Sequence, residues 1–151
     1  MTTPADNRFL NRFDGQVALL TGSAACSKDQ LMGFGGATVW RFLEEGGRGV
    51  VITDVQDEVG EKSAQELRDA GHDAIYLHLD VTDEEQWAKV IEETETHFGR
   101  LDILVNIAGG RPGAFCPLIT ILLLADVPTT RLALGVNVTE PLVNDAVLLP
   151  D

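Results

Sequence analysis

Two short glycine-bearing stretches, Thr21-Gly22-Ser23-Ala24-Ala25 and Gly33-Phe34-Gly35, frame the chemistry this chain could do. Joined directly they spell TGSAAGFG, a TGxxxGxG turn; in the chain, the seven residues Cys26 to Met32 separate them. Such a turn binds phosphate without a charged side chain. Its first glycine permits a tight bend, and the later ones let backbone approach a pyrophosphate and helix approach sheet. A helix starting behind it offers free N–H groups and a partial positive charge. The insert falls where a dinucleotide's pyrophosphate would rest; if it stays there, it displaces the helix start. Asp54 is the second candidate. It ends an apolar run, where a carboxylate can accept both hydroxyls of an adenosine ribose and repel a 2′-phosphate, which favours NAD over NADP.

These residues need a strand, a turn and a helix to place them, and the chain supplies that order repeatedly. Residues 16–20 form a short apolar run ending at the glycine turn, which predicts a buried strand. Residues 35–45 carry Ala37, Val39, Trp40, Phe42 and Leu43, the wide buried face of a helix, stopped by Gly46-Gly47. A second buried strand spans 49–53. Residues 57–70 follow as a helix with Val59, Ala64, Leu67 and Ala70 at helical spacing, closed by Gly71. A third strand spans 74–79. Thr82-Asp83-Glu84-Glu85 reads as a capping box with Thr82 as the cap. The helix it opens puts Trp87, Val90, Ile91, Thr94 and Phe98 on one face, and Gly99 ends it. Residues 101–105 make a fourth strand. Near-continuous apolar strands alternating with helices predict an α/β fold: a Rossmann-like, doubly wound parallel sheet in three α/β/α layers.

The pattern weakens beyond Gly109. Residues 110–117 read as a Gly- and Pro-rich loop. Residues 118–124 fit a strand or a buried helical turn equally. Residues 129–149 read as helical, interrupted by Gly135 and Pro141, so 110–151 is read as a helical tail. Residues 1–13 read as a flexible N-terminal arm, and residues 1–151 as one domain that is incomplete at its C-terminus.

Composition bounds the partners. The net charge of −13 argues against a nucleic-acid or anionic-membrane surface, since both need clustered Lys and Arg. Lys28, Lys62 and Lys89 lie well apart. Cys26 and Cys116 form no CxxC or metal-type spacing, and no cluster suggests a metal. Two free thiols and an N-terminus without a signal-peptide pattern predict a cytoplasmic protein.

Three further motifs accompany the glycine turn: Asp80-Val81-Thr82, Phe98-Gly99-Arg100-Leu101-Asp102-Ile103-Leu104-Val105, and Asn106-Ile107-Ala108-Gly109. In that order the set resembles the short-chain dehydrogenase/reductase family, over its N-terminal, cofactor-binding portion. The resemblance implies an NAD(P)-dependent oxidoreductase that moves a hydride between an alcohol or carbonyl substrate and nicotinamide. It implies that Gly22, Ser23, Gly33, Phe34 and Gly35 serve the pyrophosphate loop, and that Asp54 serves the ribose. Asp80 and Val81 would flank the adenine ring. Asn106, Ala108 and Gly109 match the family's NNAG, which supports the central strand and lines the cofactor cleft. Asn137 resembles the helix-borne Asn that helps position a catalytic lysine; a capping or surface Asn fits equally.

Departures from the family qualify the activity. The insert is one, and Ile107 in place of an Asn is another. The family's catalytic Tyr-x-x-x-Lys is absent: the one tyrosine, Tyr76, is followed four residues later by Asp80. His72, His78, His97 and Cys116 are acid/base or nucleophile candidates by type alone. The expectation is therefore no dehydrogenase turnover by this chain by itself. One reading is a truncated piece of a dehydrogenase. The alternatives are a non-catalytic nucleotide-binding or protein-interaction domain, or a degenerate gene product. An open edge on the fourth strand would invite self-association.

Overall fold

The computed structural model describes residues 11–28 and 31–109, together with the backbone of 120–123. The apolar runs form β1 (Val17–Thr21), β2 (Gly49–Asp54), β3 (Asp73–His78) and β4 (Ile103–Asn106). Between them lie α1 (Phe34–Glu44), α2 (Asp57–Asp69) and α3 (Glu84–Phe98). A further strand, β5 (Thr120–Leu123), completes the order β3-β2-β1-β4-β5. The first four strands are parallel, with Ala18 in register with both Val50 and Ile103. β5 runs antiparallel to β4.

Strand alternation divides the core in two. Ala18, Leu20, Val50, Ile52 and Tyr76 face α1 and α2, meeting Val39, Trp40, Leu43, Ala64 and Leu67. Val17, Leu19, Val51 and Leu104 face α3, meeting Trp87, Val90, Ile91 and Phe98. This is the three-layer α/β/α arrangement the sequence implies, with every central strand buried on both faces. The starts of β1 and β4 are tied by Asp102, whose Oδ2 accepts the Val17 N–H at 2.8 Å while its own N–H donates to the Val17 carbonyl at 3.0 Å.

Four expectations change. The buried stripe of α2 is Gly60, Ser63, Ala64 and Leu67, whereas Val59 is 40% exposed and Ala70 is exposed. The stripe turns because the Tyr76 ring lies against Gly60, where a Cβ would sit 2.1 Å from a ring carbon. The N-cap of α3 is Asp83, not Thr82: Asp83 Oδ1 accepts the N–H groups of Glu85 and Gln86 at 2.9 and 3.2 Å. Thr82 is diverted, donating both its N–H and its hydroxyl to Asp80 Oδ1. The 118–124 segment contributes a strand, so β4 has a neighbour along residues 103–106 rather than an open edge. Asn11 to Phe13 are held to the body: Phe13 packs at a tilt against Phe42 with ring centroids 5.2 Å apart, and Arg12 pairs with the enclosed Glu45 at 2.9 Å. The remainder of the arm, the 110–117 loop, Cys116, the 129–149 helix and Asn137 lie outside the described residues.

Candidate functional site: a cleft at the strand ends

The carboxyl ends of β1 to β4 surround a cleft of about 420 Å³. Gly22 lines it from β1, Asp54, Val55 and Gln56 from β2, Leu79, Asp80 and Val81 from β3, and Ile107, Ala108 and Gly109 from β4. A crevice outside the carboxyl ends of parallel strands is where open α/β sheets bind ligands. Six of the residues singled out from the sequence therefore share one cavity: Gly22, Asp54, Asp80, Val81, Ala108 and Gly109.

Gly22 sits at φ 64, and a Cβ there would meet the Ala108 Cα at 2.6 Å. The β1 turn thus rests directly on the backbone that follows β4. Thr21 secures the same junction, its Oγ1 accepting the N–H groups of Ile107 and Ala108 at 3.0 and 3.1 Å. Ile107 needs no side-chain amide to be held, because Thr21 holds its backbone. Asp54 is fixed by backbone donors. Its Oδ1 accepts from the Val55 N–H at 2.8 Å and the Gln56 N–H at 3.3 Å, and its Oδ2 from the Ala24 N–H at 3.2 Å. The Gln56 side-chain amide makes a fourth, long contact to Oδ1 at 3.5 Å, so of about four lone-pair sites on the carboxylate this is the one a ligand hydroxyl would most readily take over. Asp80 is held well below the usual carboxylate range by the Thr82 hydroxyl and N–H, and it stays ionised at neutral pH. No Lys or Arg lines the cleft among the described residues.

The remaining residues of the glycine turn lie around the cleft rather than in it. The Ser23 hydroxyl is buried, donating to the Leu20 carbonyl at 2.8 Å and accepting the Thr53 N–H at 3.2 Å, so it binds β1 to β2. Gly33 caps α1, and Phe34 is 78% exposed. Gly35 closes the turn: a Cβ on it would lie 2.5 Å from the Gly22 carbonyl oxygen and 2.7 Å from the Ser23 Cα. The two halves of the split motif therefore meet across the neck of the insert. The described insert residues do not fill the turn. Cys26 is buried among α1 and α2 residues, Met32 packs beside it, and none lines the cleft. Asn106 ends β4, in register with Thr120.

The acid/base candidates lie elsewhere. His78 Nδ1 is 2.7 Å from Asp57, His97 Nε2 is 3.2 Å from Asp73, and His72 is edge-on to Trp40. The Tyr76 hydroxyl lies 2.7 Å from both the Asp54 carbonyl oxygen and Asp57 Oδ1, which share its one proton; burial first, then its bond to Asp57, pushes its pKa up. It is a structural tie, far from a proton donor at neutral pH. A second cavity of about 370 Å³, beside α1, is walled by apolar side chains such as Phe13, Leu20, Phe34 and Val105. The arginines at its rim, Arg12 and Arg41, turn to Glu45, which leaves it without convergent polar chemistry. Val55, Gln56 and Leu79 were not legible as site residues. They adjoin Asp54 and Asp80 in sequence, and that adjacency was the available signal.

The chain belongs to the short chain dehydrogenase family, whose model matches residues 16–122. It is 42% identical over 106 residues to the 2,5-dichloro-2,5-cyclohexadiene-1,4-diol dehydrogenase of Sphingobium indicum, a match covering 70% of this chain and 39% of that protein. Among solved structures, a short chain dehydrogenase/reductase from Burkholderia phymatum in complex with NAD superposes with a TM-score of 0.54 at 28% identity, covering 61% of this chain and 30% of that one. An Escherichia coli hydroxysteroid dehydrogenase gives a TM-score of 0.57 at 29% identity, covering 66% and 39%. The chain thus spans well under half the length of these relatives.

Proposed function

We propose that this chain is the cofactor-binding portion of a nicotinamide-dependent oxidoreductase and that its strand-end cleft takes NAD in preference to NADP. The observation that carries the reading is Asp54, a carboxylate lining the cleft whose weakest contact, the Gln56 side-chain amide at 3.5 Å, is open to exchange, with no Lys or Arg lining the cleft among the described residues. It would accept the hydroxyls of an adenosine ribose, and with Asp80 it would repel a 2′-phosphate. The turn fits the cofactor, since Gly22 and Gly35 sit where a Cβ would fill the space between turn, helix and β4. Asp80 and Val81, with Leu79 beside them, would flank the adenine. NAD, when bound, supplies the hydride acceptor; this chain's residues bind and orient it.

Proton transfer to or from a substrate needs a group that the described residues do not bring to the cleft. Tyr76 is committed to Asp54 and Asp57, and no Tyr-x-x-x-Lys exists in the sequence. We therefore expect binding without turnover from these 151 residues. Substrate oxidation would belong to a longer protein. A purely nucleotide-binding role is the second reading, favoured by the structural use of the one tyrosine. A free, buried Cys26 supports a reducing, cytoplasmic location.

Calorimetric titration of the chain with NAD and NADP tests the reading, alongside Asp54→Ala. The expected result is NAD binding that exceeds NADP binding, with NAD affinity falling about tenfold or more in the variant, the loss of a charge-assisted hydrogen bond. Absence of NAD binding to the parent chain would refute it. Reduced nicotinamide formed from a secondary alcohol would refute the lack of turnover.

A further inference from the structure

The start of the insert is fastened, and its fastening reaches the ribose acid. Ala24, Cys26 and Ser27 are all buried. Ser63 on α2, 2% exposed, donates its hydroxyl to the Ala24 carbonyl at 2.5 Å and accepts the Cys26 N–H at 3.2 Å. Trp40 on α1 donates its indole N–H to the Cys26 carbonyl at 2.6 Å, and the Lys28 ammonium lies 3.7 Å from the centre of the same ring. The Cys26 thiol turns inward to the Ser23 carbonyl at 2.7 Å. Both helices on this side of the sheet therefore grip the start of the insert.

The gripped segment also reaches the cleft. The Ala24 N–H donates to Asp54 Oδ2, while Oδ1 is held by the N–H groups of the two residues that follow Asp54. A carboxylate held only by its own strand end can rotate away from an approaching phosphate and relieve the like-charge contact. One held from a second, anchored segment cannot. Discrimination between two ligands is a difference of affinities, so a fixed repulsive group is what sharpens it.

We propose that Ser63 and Trp40 are positioning residues that lock the neck of the insert, so that Ala24 fixes the Asp54 carboxylate and sets the preference for a free ribose 2′-hydroxyl over a 2′-phosphate. The proposal rests on the reading that the cleft holds the adenosine ribose of a nicotinamide dinucleotide. It gives the extra residues a use: they turn the packing of α1 and α2 into part of the cofactor site.

The test titrates NAD and NADP against the parent chain, Ser63→Ala and Trp40→Phe, and follows amide hydrogen exchange at residues 24–27. Trp40→Phe keeps an aromatic ring in the core while removing the indole N–H and part of its bulk, so it serves if the serine variant fails to fold. In both variants the ratio of NAD to NADP affinity should fall by about tenfold, the equivalent of one hydrogen bond. The Ala24 and Cys26 amides should exchange faster. Damage that merely loosens the fold would weaken both ligands together and leave the ratio unchanged; that result, or unchanged protection at Ala24 and Cys26, overturns the lock. If the parent chain binds neither dinucleotide, the cofactor reading fails separately. In that case the lock stands with faster exchange at these amides in both variants and falls without it.

Discussion

Gly22 meets two separate demands. Its φ of 64 lies where side chains are strained, and the atoms a Cβ would strike, the Ala108 Cα and N at 2.6 and 2.7 Å, are backbone that cannot swing aside. Gly22→Ala should therefore destabilise the fold by about 2–4 kcal/mol, combining strain with overpacking, read as a lower urea midpoint. It should also weaken NAD binding, because Ala108 lines the cleft and must move. Gly33 is the control. It adopts an extended backbone and a Cβ on it would meet nothing within 4 Å, so Gly33→Ala should cost under about 1 kcal/mol, the scale of a cap substitution. The contrast separates the glycines that close the turn, Gly22 and Gly35, from one that only precedes the helix. Sequence spacing assigned all of them to one loop. Spacing reports neighbours along the chain, whereas closure is decided by what lies across the sheet, and Ala108 is far away in sequence.

At the scale of elements, alternation and caps made most of the fold legible, because they act over a few residues. The buried face of α3 follows its periodicity from Trp87 to Phe98. Its start was misread because Thr82 and Asp83 are both good caps, and only Asp80 decides between them by drawing the Thr82 hydroxyl away. Asp83→Ala should cost about 1 kcal/mol of stability, and Thr82→Ala distinctly less, by urea unfolding. The face of α2 was half legible, since Gly60 gives no apolar signal until Tyr76 packs on it. Ser63 and Trp40 gave no sequence hint of contact with the glycine turn: Ser63 Oγ bonds a backbone 39 residues away. Asp102 carries the pH prediction. Burial pushes its pKa up, but Arg100, the Val17 N–H and Arg48 together hold it below the ordinary value. A carboxylate depressed in the folded state stabilises above its unfolded pKa of about 3.9, and that stability is lost as pH falls through the folded value. The stability gap between the parent and Asp102→Asn should hold steady above about pH 5 and narrow below pH 4. A gap independent of pH down to acid unfolding would show that the Asp102 charge contributes nothing.

The molecule as a whole is organised around a sheet whose β4 side departs from the parallel pattern. β5 meets β4 antiparallel, pairing Asn106 with Thr120 and Ile103 with Leu123. A short apolar run with no clear period could not announce this from sequence, since direction and partner are set by the strand it lands on. Pairing satisfies backbone groups that would otherwise be a template for another chain. Beside them, on the α1 face, lies the 370 Å³ apolar cavity over Ile103 and Val105. Opening the edge should therefore expose both a ladder and an apolar wall. The double substitution Ile121→Pro and Leu122→Pro does this through the backbone: successive residues point their N–H groups to opposite sides, so one of the two prolines removes a donor facing β4. At equal concentration, sedimentation velocity should show the double variant shifted to larger species than the parent. The net charge of −13 opposes association of copies, so added salt, which shortens the screening length, should enlarge the shift. A variant that sediments like the parent at every salt concentration would show that β5 does not guard this edge.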